Sequence, residues 1–251
     1  MKTLNDRHYL ESIYLLRDKI PSFKEYPFCL PAVSGLETLE FHPAVTFLIG
    51  ENGSGKSTLL EAIAIGLGLN PEGGSKNFNF ATRPSHSTLC DFIRLRRTVR
   101  RSRDCWFLRA ESFFNVATEI EKLGVGNFYG GVPLHEQSHG ESFFALFRNR
   151  FGGKGLYLLD EPEAALSPMR QLGFLSMMHE LVRDDSQFII ATHSPIIMAY
   201  PNACIYVLGG SRIVKTAYQE TEHFKITREF LNRPERMLSV LMDEERNEAG
   251  T

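Results

Sequence analysis

Gly50-Glu51-Asn52-Gly53-Ser54-Gly55-Lys56-Ser57 matches the pattern GxxxxGK[ST]. Glycines in such a loop let successive backbone N–H groups curl around phosphate oxygens at a helix N-terminus. The flanks decide whether the match means anything. Ahead of it, Val45 to Ile49 reads as a short apolar strand. Behind it, Thr58 to Leu69 places Leu59, Leu60, Ile63 and Leu67 at helical spacing, and Asn70-Pro71-Glu72-Gly73-Gly74 stops the run. Strand, loop and helix in that order make an accidental glycine-rich turn the poorer explanation. Gly50, Asn52, Gly53, Ser54 and Gly55 then form the cradle. Lys56 is expected to neutralise the β- and γ-phosphates, Ser57 to supply a hydroxyl for Mg²⁺, and Thr58 to reach the α-phosphate.

A second element is Leu156-Tyr157-Leu158-Leu159-Asp160-Glu161-Pro162, four apolar residues followed by two carboxylates. At the C-terminal end of a strand these acids stand where α/β sheets place their ligands. Asp160 is expected to hold Mg²⁺, and Glu161 to orient or deprotonate the attacking water. An acid-rich helix start is the alternative for this stretch taken alone.

Ser138-His139-Gly140-Glu141-Ser142 follows the turn-rich Gly130-Gly131-Val132-Pro133 and precedes the apolar run Phe143, Phe144, Leu146, Phe147. A serine and a glycine at a helix start offer a hydroxyl and bare N–H groups to an anion, and they also make an ordinary capped helix. Thr192-His193-Ser194-Pro195 closes the apolar run Phe188 to Ala191. The first of these motifs resembles a variant ABC signature sequence, and His193 resembles the ABC switch histidine that contacts the γ-phosphate. The spacings from Ser138 to Asp160 and from Asp160 to His193 are close to that family's habit. Asp160 to Pro168, DEPEAALSP, and the HSP triplet at His193 look like the SMC, RecF and OLD-nuclease branch of ABC ATPases. Arg109 to Ala117 (RAESFFNVA) and His135 to Phe143 (HEQSHGESF) further resemble small stand-alone bacterial ATPases.

The resemblance implies an ATP hydrolase using ATP and Mg²⁺, with Lys56, Glu161 and His193 as catalytic residues and Ser57 and Asp160 at the metal. It also implies an ATP-dependent head-to-tail homodimer in which Ser138, His139, Gly140 and Glu141 act on the partner's nucleotide. Two features depart from the family pattern. No glutamine occurs between Lys56 and Gln137 to stand near Mg²⁺, which leaves Thr82, His86 and Ser87 as polar candidates. Arg17, Phe23 and Phe41 are equally suited to stacking on adenine or to packing.

The expected fold is α/β in a single domain, 1–251, with a mainly parallel core sheet flanked by helices. An antiparallel lobe is expected at about 1–45 and 90–112, and a helical signature region at about 112–150. Tyr9 to Leu16 and Leu36 to Phe41 read as further strands, Ser112 to Leu123 and Met169 to Leu181 as helices. Phe92 to Val99 and Cys105 to Arg109 read as an antiparallel hairpin. On that hairpin Arg94, Arg96 and Arg100 alternate toward one face. They suit either nucleic-acid phosphates or a charged edge paired with acidic neighbours.

With 251 residues, 43% of them hydrophobic, the chain can bury a full core, and a formal net charge of −2 predicts no general pull on nucleic acid or acidic lipid. Cys29, Cys90, Cys105 and Cys204 form no CxxC pair and read as buried small hydrophobes in a reducing cytosol. Charged residues among Met1 to Ile20 argue against a signal peptide, and no stretch is long enough to insert in a membrane, so the expectation is a cytoplasmic chain. Three roles remain open at this point. One is an ATPase in DNA-related or phage-defence processes, another an ATPase subunit controlling a separate effector or toxin. The third is a transporter's nucleotide-binding subunit, against which the SHGES and HSP variants speak.

Overall fold

The computed structural model describes residues 8–75, 87–110, 118, 139–210 and 212–248. Strands within them are β1 (Leu10–Leu15), β2 (Thr38–Glu40), β3 (Val45–Ile49), β4 (Ile93–Arg97), β5 (Asp104–Arg109), β6 (Gly155–Asp160), β7 (Gln187–Ala191), β8 (Cys204–Gly209) and β9 (Arg212–Thr216). The α-helices are α1 (Pro31–Ser34), α2 (Lys56–Gly66), α3 (His139–Arg150), α4 (Pro168–Arg183), α5 (Pro195–Met198), α6 (Glu222–Asn232) and α7 (Pro234–Glu248).

β3, β6 and β7 are buried at every position, as continuous apolar runs must be when helices cover both faces of a sheet. They lie in a six-stranded sheet of order β5-β6-β7-β3-β8-β9, parallel throughout except for β9, which returns antiparallel to β8. A second sheet, β2-β1-β4, is antiparallel.

Side chains alternate along each core strand and so build two cores. On one face Leu48, Leu158, Ile189 and Leu208 meet Leu59, Leu60 and Ile63 of α2, together with the inner residues of the antiparallel sheet such as Ile13 and Leu39. On the other face Phe47, Tyr157, Leu159 and Phe188 meet Phe143 and Phe147 of α3 and Phe174 and Met178 of α4. The helix that follows the phosphate loop and the helix that begins within the SHGES motif therefore cover opposite faces of the sheet.

Gln187, with no exposed surface, ties the two sheets together. Its carbonyl accepts from the backbone N–H groups of Tyr9 and Leu10 at 2.9 and 3.0 Å, and its amide donates to the carbonyls of Leu10 and His42 at 2.8 and 3.0 Å. A buried amide is tolerated in such a core only when satisfied in this way.

The expected hairpin between Phe92–Val99 and Cys105–Arg109 does not form. β4 pairs with β1, while β5 joins β6 in the parallel sheet. Trp106 and Leu108 are buried in one core and Phe107 in the other, so β5 is covered on both faces although it is an edge strand of the parallel sheet. The antiparallel lobe accordingly ends at β4, short of the expected 112. β4 also stops at Arg97, so Arg100 is not on a strand face shared with Arg94 and Arg96. Arg100 pairs with Asp185 at 2.9 Å and stacks over the Tyr9 ring, and Arg96 meets Glu11 at 3.2 Å. Cys29 is exposed rather than buried; Cys204 is buried, and Cys90 and Cys105 are intermediate. The helix expected at Ser112 to Leu123 lies outside the described residues except for Thr118.

Candidate functional site

β3, β6 and β7 are adjacent or once removed and run parallel, so their C-terminal ends share one edge. Each ends at a motif: β3 at Gly50, β6 at Asp160-Glu161, and β7 at Thr192-His193. The phosphate loop is held by backbone geometry that glycine permits. Gly50 has φ 148 and passes so close beneath the Leu208 carbonyl that a Cβ has no room, and Gly55 has φ 96 as α2 begins. The loop is also pinned from outside, the Ala32 N–H donating to the Ser54 carbonyl at 2.8 Å.

Lys56 is buried, and its ammonium donates to the carbonyls of Gly50 and Glu51 at 2.8 and 3.0 Å. Burial lowers its pKa, and Glu161 and Asp160 oppose the shift. The Ser57 hydroxyl donates to Asp160 Oδ1 at 3.0 Å. Asp160 sits almost fully buried, and burial pushes its carboxyl up to about 6 against the opposing pull of Arg109 and Ser57. A buried acid strained in this way is a fitting ligand for a divalent cation, which would return it to the ionised form.

Glu161 adopts the left-handed backbone conformation, φ 51, unusual for a residue with a side chain. Its N–H donates to the Ala191 carbonyl at 2.9 Å, and its Oε1 stands 3.7 Å from His193 Nε2. That imidazole nitrogen is buried and has no hydrogen-bond partner among the described residues. Burial and the nearby Lys56 lower the His193 pKa, so its ring is neutral at physiological pH.

Several residues at this site were assigned no role from the sequence. Arg109 faces Asp160 across the β5–β6 pair, with its Nε 3.5 Å from Asp160 Oδ2 and its Nη1 2.9 Å from Glu61 Oε2. Glu61 in turn accepts from the Ser87 N–H at 3.0 Å. Glu163 accepts from the Thr192 hydroxyl at 2.8 Å and from the His193 N–H at 2.5 Å, so it joins the β6 acids to the β7 histidine. His223, on the first turn of α6, places Nε2 3.3 Å from His193 Nδ1. Arg109 and Glu163 fall within the RAESFFNVA and DEPEAALSP stretches, which gave them no individual role, while Glu61 and His223 lie in helices with no such mark.

Other expected site residues fall elsewhere. Gly140 is buried under Arg170 and the Ala165 carbonyl, so its lack of a Cβ serves packing within the chain, and Glu141 lies 3.6 Å from Arg170. His139 opens α3, and Ser138, Thr82 and His86 lie outside the described residues. Ser87 caps a 3₁₀ turn, its hydroxyl accepting from the Leu89 N–H at 3.2 Å. Phe41 is a core residue, 4% exposed, and is removed from the candidates for adenine. Arg17 stacks over Phe23 at 4.5 Å.

A family model described as an AAA domain matches residues 23–121. A second, described as "AAA domain, putative AbiEii toxin, Type IV TA system", matches residues 114–199. Between them they run from before the phosphate loop to beyond His193. The chain is a P-loop ATPase.

Among solved structures, this ATPase is similar to the SMC head domain from Thermotoga maritima at 18% identity, TM-score 0.46, over 83% of this chain and 99% of that one. It is similar to an ATP-binding cassette of an ABC transporter in its ADP conformation at 17% identity, TM-score 0.47, over 82% and 89%. The third is cbiO1 from Clostridium perfringens, part of an ABC transporter complex, at 21% identity, TM-score 0.44, over 84% and 92%. No curated protein matches the chain. Among the described residues of this ATPase, no helix is long and apolar enough to cross a membrane.

Proposed function

We propose that this ATPase binds Mg²⁺–ATP at the β3–β6–β7 edge and closes head-to-tail on a second copy of itself around the nucleotide. The observation that carries the site is the convergence of Lys56, Ser57, Asp160, Glu161 and His193 at one sheet edge. Ser57 and Asp160 would hold Mg²⁺, with the phosphate-loop backbone and Lys56 on the phosphates. The metal supplies charge neutralisation and polarises phosphate oxygens. Glu161 orients the attacking water and takes its proton, and His193 turns Nε2–H toward the terminal phosphate. Thr58 and the N–H groups of Asn52, Gly53 and Ser54 fix the remaining oxygens. Adenine stacks on the Arg17–Phe23 pair, whose exposed ring offers a face that the buried Phe41 lacks.

The two-faced arrangement of helices supports closure between copies. Because α2 and α3 lie on opposite faces of the sheet, the α3 start with His139, Gly140 and Glu141, together with the preceding Ser138 in sequence, serves a nucleotide on another protomer rather than its own. ATP then bridges two surfaces, and hydrolysis releases them.

The process served is a regulatory or mechanical one in DNA-related work or phage defence. A second reading, control of a separate effector protein, is favoured by the toxin-system wording of the family matched at residues 114–199. Commitment of Arg96 and Arg100 to Glu11 and Asp185 weighs against a phosphate-binding strand face and so toward this second reading. The test is steady-state ATP hydrolysis by the purified protein with and without Mg²⁺, followed by capture of partners on the ATP-loaded Glu161→Gln protein. Hydrolysis stimulated by DNA or RNA and lost at high salt supports the first role; co-purification of a single effector protein supports the second. No Mg²⁺-dependent hydrolysis under any condition overturns the assignment.

A further inference from the structure

His193 is held on one side only by known parts of the site. Its Nε2 faces Glu161, and its Nδ1 faces His223 Nε2 at 3.3 Å. His223 is not loosely placed. Thr221, 1% exposed, caps α6 by accepting from the Phe224 N–H at 3.3 Å, and the Tyr218 hydroxyl donates to the Pro195 carbonyl at 2.8 Å. The Tyr218 and Phe224 rings pack at 4.7 Å. The segment that carries His223 is thus docked on the segment that carries His193. His223 also lines a cavity of about 510 Å³ that the phosphate loop, Gly50 to Ser54, lines as well.

Two neutral imidazoles at this distance bond only if one gives an N–H and the other takes it. If His193 gave its Nδ1–H, its bare Nε2 lone pair would point at the Glu161 carboxylate. If His223 gives its Nε2–H, His193 carries the proton on Nε2, facing that carboxylate favourably. Burial lowers the pKa of both rings, in keeping with a neutral pair.

We propose that His223 is a positioning residue for the ATPase reaction: its Nε2–H donates to His193 Nδ1 and fixes His193 as the Nε2–H tautomer, the form that donates to the terminal phosphate. This rests on the reading of His193 given above. His223 itself touches no reacting atom. Without it the His193 ring is free to rotate and to exchange tautomers, and part of the population presents a lone pair where a donor is needed.

The experiment compares His223→Phe, which fills the space without an N–H, with His223→Gln, whose side-chain amide restores a donor. For each, kcat, KM for ATP and thermal stability are measured, and long-range ¹H–¹⁵N correlation spectra of the nucleotide-free protein report the His193 tautomer. In the parent, the spectra show His193 protonated on Nε2; in His223→Phe they show a tautomer mixture. His223→Phe lowers kcat roughly 10-fold, as loss of a ring-orienting partner does, with KM for ATP within about 2-fold. His223→Gln recovers most of the loss. Parental kcat in His223→Phe, no recovery in His223→Gln, or an unchanged His193 tautomer overturns the proposal. A His193→Ala control separates the two readings. If it is slow while His223→Phe is not, the His223 role alone fails; if it turns over at the parental rate, the role of His193 fails and the His223 proposal with it.

Discussion

The Ser57 hydroxyl and the Asp160 carboxylate, 103 residues apart in sequence, meet at 3.0 Å. The first residues of α2 and the last residue of β6 are thereby joined before any nucleotide arrives. Asp160 is held in a setting that raises its pKa from 3.8 to about 6. Between those values the folded chain binds a proton that the unfolded chain does not, so stability falls as pH rises through the window. Above pH about 6 the buried charge is at its full cost.

Asp160→Asn therefore raises the stability of the nucleotide-free protein at pH 7.5 while abolishing Mg²⁺-dependent hydrolysis. Arg109 keeps its 2.9 Å pair with Glu61 in the variant. The gain is on the order of 1–3 kcal/mol, or about 2–12 °C in Tm. It shrinks below pH 6, where the parent takes up its proton. Thermal melts across pH 5 to 8 check both the sign and the window.

Lys56→Ala removes the ammonium that now satisfies the Gly50 and Glu51 carbonyls and that would neutralise the phosphates. ATP affinity falls by roughly 30- to 150-fold, as expected for loss of a charged hydrogen-bonding group worth about 2–3 kcal/mol. Calorimetric titration measures it. Affinity within 3-fold of the parent, against that roughly 30-fold floor, would show that the lysine is not at the phosphates.

Gln187→Leu leaves the Tyr9 and Leu10 N–H groups and the Leu10 and His42 carbonyls without their partner. Stability drops by at least about 3 kcal/mol, or roughly 6–12 °C in Tm, because these groups stay buried and unpaired. A drop under about 1 kcal/mol in denaturant melts contradicts the role of Gln187 as the tie between the two sheets.

Glu161→Gln keeps ATP affinity within about 3-fold and slows hydrolysis by about 10²- to 10⁴-fold, the range for loss of a general base. Single-turnover kinetics separate the chemical step from binding. Parental turnover removes Glu161 from the chemistry.

The centre of this fold is legible in the sequence because three short apolar runs each end in polar residues whose chemistry is specific: Gly50 to Ser57, Asp160-Glu161, and Thr192-His193. Period and position give those strands directly. β4 and β5 misled because Arg100 to Asp104 looks like a hairpin turn, and nothing local says that β4 pairs instead with β1, about 80 residues earlier. The partners that complete the site were hidden for the same reason. Glu61, Arg109, Glu163 and His223 are ordinary charged or polar residues in sequence, and their meaning lies in contacts made across the sheet edge. His223 lies 30 residues beyond His193, in a helix whose composition is that of any surface segment.

The most direct test of the account is sedimentation of the Glu161→Gln protein with Mg²⁺ and ATP, beside the same protein carrying Ser138→Arg. A monomer that becomes a dimer only with ATP, and stays a monomer when Ser138 is replaced although ATP still binds, is the predicted result. A Glu161→Gln protein that binds ATP and remains monomeric at every concentration contradicts the composite site.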